Sequence, residues 1–391
     1  MIRVVELFSG IGAQNAALRM SGLEYEIVAV SEIDEKAYLS YCALNDECPP
    51  NLGDITKVER LPECDLVTFS APCTDISNAG RKKGMEEGSG TRTSLIFEVA
   101  RVIEQTPEED RPVYLLGENV PDIVNKKNLK HLMRFVQRMS NLGYSCRYSL
   151  LNAKDFGVPQ NRERCFMIFS RIGITEFPKG WALDKCLEDV LEEKVDGKYY
   201  LSQKAMDGFV FHRKKQSENG VIQGCDQVAD LNRGGYESTN RVYSTKGCSP
   251  TINTYQGGQT QAKILIRNNT KLGYIEAESG DGIILDQPNS NTKRGRVQRG
   301  MSPTIMTSGQ VGVIIIDGES YSIRHLTPRE CFRLFGFTEE QIDRVFSLVI
   351  GKKNISNCTL YKIAGNSIVV PVLSEIFKTM YGKQSPTLFD F

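Results

Sequence analysis

The chain has 391 residues, of which 40% are hydrophobic, 25% charged and 8% aromatic. These globular values exclude a disordered, collagen-like or coiled-coil chain, and the length suits two domains, or three at the limit. The 48 Lys and Arg balance the 48 Asp and Glu, so net charge alone points to no nucleic-acid partner. Eleven cysteines (an odd number, with no Cys-x-x-Cys) and three histidines suggest neither a disulfide framework nor a zinc cluster, so free thiols and no structural metal are expected. No apolar run reaches the roughly 18–20 residues that span a bilayer, and the first residues lack a basic segment followed by a long apolar one. The expected setting is cytoplasmic, with no membrane partner.

In chain order, residues 3–8 read as a β-branched strand that runs into Ser9-Gly10-Ile11-Gly12 and a helix over 13–20. A strand over 26–30 ends at Ser31-Glu32 and precedes a helix over 34–44. A strand over 65–69 leads to Ser70-Ala71-Pro72-Cys73, and a helix is expected over 94–103. The strand over 112–116 ends at Gly117-Glu118-Asn119-Val120, and a helix over 128–142 stops at Gly143. This rhythm predicts an α/β fold, a doubly wound and mostly parallel sheet with helices on both faces. Ligands in such sheets sit at the carboxyl ends of the strands, where each of these clusters falls.

Beyond about residue 185 helical periodicity fades and Gly, Asn, Ser and Thr increase. Between 197 and 300 there are 15 Lys and Arg against 9 Asp and Glu, a local excess of +6. That excess suits phosphate contacts, and it also suits an ordinary solvated surface. Arg241-Val242-Tyr243 before Cys248-Ser249-Pro250-Thr251-Ile252 is echoed by Arg296-Val297-Gln298 before Met301-Ser302-Pro303-Thr304-Ile305. The echo suggests two similar strand-turn units, either a structural duplication or part of a recognition domain. The stretch 360–381 returns to α/β character and is expected to pack back on the first domain. The division is therefore 1–185, 186–350 (a second, smaller, mainly β domain) and 351–391.

The clusters also suggest chemistry. Glycines at Gly10 and Gly12, after a strand and before a helix, let backbone approach a ligand closely, and Glu32 lies at the distance where an acid can bind ribose hydroxyls. The third glycine of a dinucleotide fingerprint is missing, so a simple tight turn fits as well. Asp54 could meet an adenine amino group or merely cap a turn. Cys73 sits at the ligand edge of the sheet, ahead of a glycine-rich stretch carrying Arg81-Lys82-Lys83, and a thiolate there would be a strong nucleophile. A buried structural cysteine beside a surface loop is the plain alternative. Glu118 could donate a proton or bond a heterocycle, or cap a helix. Arg162 and Arg164 are two apart in an extended run, so both could face a ring carbonyl or phosphates, or form surface ion pairs.

Taken together these clusters resemble the C5-cytosine DNA methyltransferase family of bacterial and phage restriction-modification type. The motifs, in family order, are Phe8-Ser9-Gly10-Ile11-Gly12, Pro72-Cys73, Glu118-Asn119-Val120, Gln160-x-Arg162-x-Arg164, Arg324-x-Leu326-Thr327-Pro328-Arg329-Glu330 and Gly365-Asn366-Ser367-Ile368-Val369. Each alone is unspecific, whereas the ordered set spans nearly the whole chain. The gap near 186–300 corresponds to the family's variable target-recognition domain.

The resemblance implies a Rossmann-like domain binding S-adenosylmethionine, with S-adenosylhomocysteine as product and no metal. Phe8, Gly10, Gly12, Glu32, Asp54, Leu95 and Asn366 would line the cofactor pocket. Cys73 would attack C6 of a flipped-out cytosine, Glu118 would hold its N3 edge, Arg164 its O2 carbonyl, and Arg162 would support the site. Ser77 and the Arg81-Lys82-Lys83 run would contact double-stranded DNA. Thr74 stands where the family usually has Gln, a departure that bears on contacts near the flipped base. The 324–337 segment would brace the recognition domain. The implied protein is a monomer, compatible with a cognate restriction endonuclease in the same system. An RNA (tRNA) cytosine methyltransferase and a catalytically inactive DNA-binding relative are the competing readings, with a nicotinamide oxidoreductase more remote.

Overall fold

The computed structural model describes residues 1–72, 92–173, 175–200 and 320–382, together with strands between 227 and 317. At its centre is a six-stranded sheet of β1 (Ile2–Leu7), β2 (Tyr25–Ser31), β3 (Leu66–Phe69), β4 (Tyr114–Asn119), β5 (Ser145–Asn152) and β6 (Glu163–Ser170) in the order β2-β1-β3-β4-β6-β5. The first four strands are parallel, and β6 runs antiparallel between β4 and β5. The sheet is thus mostly parallel and doubly wound. From β1 the chain crosses to β2 on one side, and β3 continues to β4 on the other. The connections diverge between β1 and β3, the place where such sheets open a ligand crevice.

Helices α1 (Ala13–Ser21), α2 (Glu35–Asn45), α3 (Ile96–Gln105) and α4 (Leu129–Asn141) fall within two residues of the sequence expectation. The antiparallel pair β5 and β6 gave no comparably clear pattern in advance. Alternate residues of β1 serve opposite faces of the sheet, as strand geometry requires. Val4 joins the core formed with α1 and α2, and Val5 and Leu7 join the core formed with α3 and α4. The second core centres on Phe135, whose ring meets Phe69 and Phe169 edge-on at centroid separations of 6.0 and 5.5 Å.

The C-terminal part forms α5 (Pro328–Arg333), α6 (Glu339–Phe346), α7 (Asn357–Gly365) and α8 (Val370–Tyr381). Helix α8 packs on α1, and α6 packs on α2. Arg344 of α6 donates to the carbonyls of Ala43 and Leu44 at 3.1 and 3.0 Å, completing the end of α2. Phe332, Phe335, Ile342 and Val345 share one core with Val4 and Leu44.

In the intervening stretch β7 (Gln227–Asp230) pairs antiparallel with β8 (Arg241–Tyr243), while β9 (Gly282–Ile284), β10 (Arg296–Gln298), β11 (Val311–Asp317) and β12 (Ser320–His325) form an antiparallel sheet in the order β10-β9-β11-β12. Both Arg-Val copies of the echo are strands, β8 and β10. Their Ser-Pro-Thr-Ile portions lie outside the described residues.

One expectation needs correction. Cys42 and Cys48 pair as a disulfide, with Cα atoms 4.7 Å apart, so the thiols are not all free. The left-handed backbone at Asp46 (φ 55°), just past the end of α2, turns the chain back so that Cys48 meets the last turn. No Cys-x-x-Cys pattern announces this. The 25-residue stretch Asn357–Tyr381 meets the length and composition of a membrane-crossing segment. It is two helices, and 78% of its most apolar window is buried inside the protein, so its hydrophobicity serves the core.

Candidate functional site at the carboxyl ends of the strands

Beyond β1 the backbone takes positive φ at Phe8 (55°), Gly10 (57°) and Gly12 (78°). These angles curl Phe8–Gly12 over the strand end. The Ser9 amide donates to the Ser31 carbonyl at 3.2 Å, so the loops after β1 and β2 are joined. Gly12 has a second reason to lack a side chain, because a Cβ there would lie 2.3 Å from Asn45 Nδ2 and 2.6 Å from the Tyr41 ring. At Gly10 a Cβ would meet nothing within 4 Å, so the loop faces open space.

Glu32 follows β2, and its carboxylate accepts from the amides of Gly10 at 2.9 Å and Asp34 at 2.7 Å. Desolvation pushes its pKa up despite these bonds. Asn51 anchors the next loop, receiving the Glu32 and Gly53 amides on its Oδ1 at 3.0 and 2.9 Å. Asp54 accepts from the hydroxyl and amide of Thr56, and these bonds hold its pKa below the ordinary value. Hydrogen bonds therefore tie the loops that carry Gly10, Glu32 and Asp54 together at the ends of β1 and β2. Ser9 Oγ is buried with no hydrogen-bond partner among the described residues. An open loop with two carboxylates beside it suits a ligand with a polar, hydroxyl-bearing end, as a nucleoside cofactor has.

The other half of the site lies at the ends of β3 and β4. Ser70 Oγ donates to the Phe8 carbonyl at 3.1 Å, and Asn119 Nδ2 to the Ala71 carbonyl at 3.2 Å. Both bonds fix the chain just before Cys73. Cys73 itself, Thr74, Ser77, Arg81, Lys82 and Lys83 lie outside the described residues. Among free cysteines that are described, burial pushes the thiols of Cys64, Cys146 and Cys165 up to about 12. Such thiols are protonated at neutral pH and poor nucleophiles.

Glu118 ends β4 with its side chain 13% exposed, and Arg164 on β6 faces it, Nε to Oε1 at 3.1 Å. Desolvation pushes the Glu118 pKa up, opposed by the charges of Arg164 and Arg162. Strand β6 starts at Glu163, so Arg162 precedes it rather than sharing a strand with Arg164. Arg162 is buried and donates to the carbonyls of Gly365 and Ser367 at 3.2 and 2.9 Å, with its guanidinium carbon 4.9 Å from the Phe335 ring centroid. These bonds flank Asn366, which is exposed at the end of α7. Leu95 is half-buried at the start of α3. Sequence reasoning missed Asn45 and Asn51, which act through backbone carbonyls and amides and belong to no charged or cysteine pattern, and Ser70 was legible only as part of Ser70-Ala71-Pro72-Cys73. Asn119 was legible only as part of Glu118-Asn119-Val120.

The 324–337 motif forms a brace. Arg324 and Glu330 are buried and joined by two bonds of 2.8 and 2.7 Å. Glu330 also accepts from the amides of Thr327 and Glu192, both at 2.8 Å, and the Thr327 hydroxyl bonds Glu192.

The sheet is doubly wound, with an open glycine loop at its switch point and a shielded acid two strands away, the architecture of a Rossmann-like enzyme fold. The chain belongs to the C-5 cytosine-specific DNA methylase family, whose model matches residues 2–382. Orphan methyltransferase M.SPRI of Bacillus phage SPR is 33% identical over 441 residues, covering 97% of both chains. Type II methyltransferase M2.ScrFI of Lactococcus lactis subsp. cremoris is 29% identical, covering 98% of this chain and 100% of that one. Among solved structures, a DNMT2 mutant of Spodoptera frugiperda aligns with a TM-score of 0.60 at 18% identity, over 97% of this chain and 100% of that one. Dnmt2 of S. pombe aligns at 0.55, also at 18% identity, over 97% of each chain. These structures share the fold. Family membership implies methylation of cytosine at C5 in DNA, with S-adenosylmethionine as cofactor.

Proposed function

We propose that this protein methylates C5 of a cytosine flipped out of a specific duplex DNA sequence, through a covalent bond between Cys73 and C6. The observation that carries the proposal is the placement of Glu118, nearly buried against Arg164 beside the Ala71 carbonyl that Asn119 fixes. Flipping costs a few kcal/mol of stacking and pairing. Gly10, Glu32 and Asp54 would hold the cofactor, with Phe8, Gly12, Leu95 and Asn366 completing the pocket. S-adenosylmethionine held there supplies the methyl group.

Addition of the Cys73 thiolate to C6 breaks the C5–C6 double bond and makes C5 electron-rich. Glu118 bonds the N3 edge and supplies a proton there, a task suited to a carboxyl whose pKa is raised. Arg164 would meet the O2 carbonyl, and Arg162 keeps Arg164 and the Asn366 turn in register. With the methyl group on C5, loss of the C5 proton restores the C5–C6 double bond and expels Cys73 as the thiolate, and the N3 proton returns to Glu118.

Residues 1–185 would form the catalytic domain, with 351–391 packing back on it through the core that also takes in 326–346. Target recognition would lie within 186–350, whose basic stretch would contact phosphates, as would Ser77, Arg81, Lys82 and Lys83. We take the protein to act in the cytoplasm as a monomer, alongside a cognate endonuclease where one exists.

The test is trapping on duplex DNA containing 5-fluorocytosine in the presence of cofactor. No C5 proton can be lost, so the intact chain is expected to stay covalently attached and Cys73→Ser to lose both adduct and turnover while keeping S-adenosylhomocysteine affinity. An adduct that survives Cys73→Ser overturns the assignment, and methylation of tRNA in place of duplex DNA overturns the substrate.

A further inference from the structure

The cofactor crevice is shaped from behind by a residue that no motif points to. Asn45, the last residue of α2, is completely buried. Its Nδ2 donates to the carbonyls of Ile11 at 3.2 Å and Gly12 at 3.4 Å, and lies 3.2 Å from the Tyr41 carbonyl. Gly12 is the counterpart of this contact, since a Cβ there would sit 2.3 Å from the same nitrogen. The chain on either side is held in place: Cys42 and Cys48 close it by a disulfide, and Glu47 Oε2 accepts from Asn15 Nδ2 at 3.2 Å. The amide therefore grips the Ile11–Gly12 backbone from a fixed platform, and that backbone carries the Gly10 amide to the Glu32 carboxylate at 2.9 Å.

We propose that Asn45 is a positioning residue for cofactor binding, setting the curl of the Gly10–Gly12 loop without touching the cofactor. The inference rests on the cofactor reading above. The Gly12 carbonyl also accepts the Ala16 amide at 3.0 Å as α1 begins, so the Asn45 amide matters most at the Ile11 carbonyl, which it meets where water cannot. Loss of the donor deprives the Ile11 carbonyl of its partner and lets the loop relax into the open space at Gly10.

The experiment compares the full chain with Asn45→Asp and Asn45→Ser. Asp keeps the shape but replaces the donor with an acceptor; Ser removes the donor without adding charge. Isothermal titration with S-adenosylhomocysteine is expected to show about ten-fold weaker affinity for Asn45→Ser, equivalent to about 1.4 kcal/mol, and a larger loss for Asn45→Asp. KM for S-adenosylmethionine should rise in parallel, with KM for duplex DNA and kcat within about two-fold of wild type. Should Asn45→Asp fail to fold, Asn45→Ser carries the test. Affinity for S-adenosylhomocysteine within two-fold of wild type in a folded variant overturns the proposal, as does a rise in the KM for DNA without one for the cofactor. If the wild-type chain binds no S-adenosylhomocysteine, the cofactor reading fails instead, and the two failures are distinct.

Discussion

The two halves of the site are built differently. The cofactor half, at the ends of β1 and β2, uses neighbours in sequence. Backbone amides of Gly10 and Asp34 bond Glu32, and the loops open toward solvent. The half at β4 and β6 uses side-chain charges held away from water. Glu118 faces Arg164, and Arg162 is tied to carbonyls 203 and 205 residues away. A loop fixed by backbone bonds can lose one contact and still bind. A shielded acid that loses its charge or its partner loses its chemistry, because low-dielectric surroundings magnify each electrostatic contact.

The sharpest way to break this comparison is Glu118→Gln. The amide can still bond the N3 edge but cannot supply a proton, so kcat should fall by about 100-fold or more, with S-adenosylhomocysteine affinity unchanged. The wild-type rate should decline as pH rises through the raised Glu118 pKa, because the carboxyl then gives up its proton. Glu118→Gln should lack that decline. Rate profiles against pH for both proteins check this, and an identical alkaline limb in both would remove Glu118 from the proton-donor role.

A middle-sized effect is expected at the brace. Glu330→Gln leaves the buried Arg324 without its counter-charge, and stability should fall by about 3 kcal/mol. Denaturant unfolding measures the loss. Because the Glu330 carboxylate bonds Arg324, Thr327 and Glu192 and none of the loop residues, the KM for cofactor should change little in the folded fraction, and a selective rise in that KM would blur the distinction between brace and site.

The smallest effect sharpens the cofactor half. Glu6 on β1 is fully buried, and desolvation raises its pKa well above the ordinary carboxylate value, with the Glu47 charge adding to it. The unfolded chain ionises at the ordinary value and the folded chain only at higher pH. Stability linked to Glu6 is thus fully present below the ordinary carboxylate range and is lost as pH rises through the folded pKa. Glu6→Gln should remove this dependence, so its melting temperature should gain on wild type as pH rises from mildly acidic to neutral. A difference that does not vary with pH would mean that Glu6 does not titrate in the fold.

Much of this molecule is written locally. Alternating strands and helices, glycines at the strand ends and the order of short motifs all follow from the backbone preferences and periodicity of nearby residues. They determined the four parallel strands, the family resemblance and the positions of Glu32 and Glu118 at the ligand edge of the sheet. Other features exist only once distant segments meet. Arg162 gained its role from the Gly365 and Ser367 carbonyls, Asn45 from the turn at Gly12, and Cys42 from a backbone reversal that brings Cys48 back to α2. Asparagine side chains, carbonyl oxygens and an arginine carry no periodic signal. Their partners are selected by packing in three dimensions, which is why the tertiary structure had to decide them.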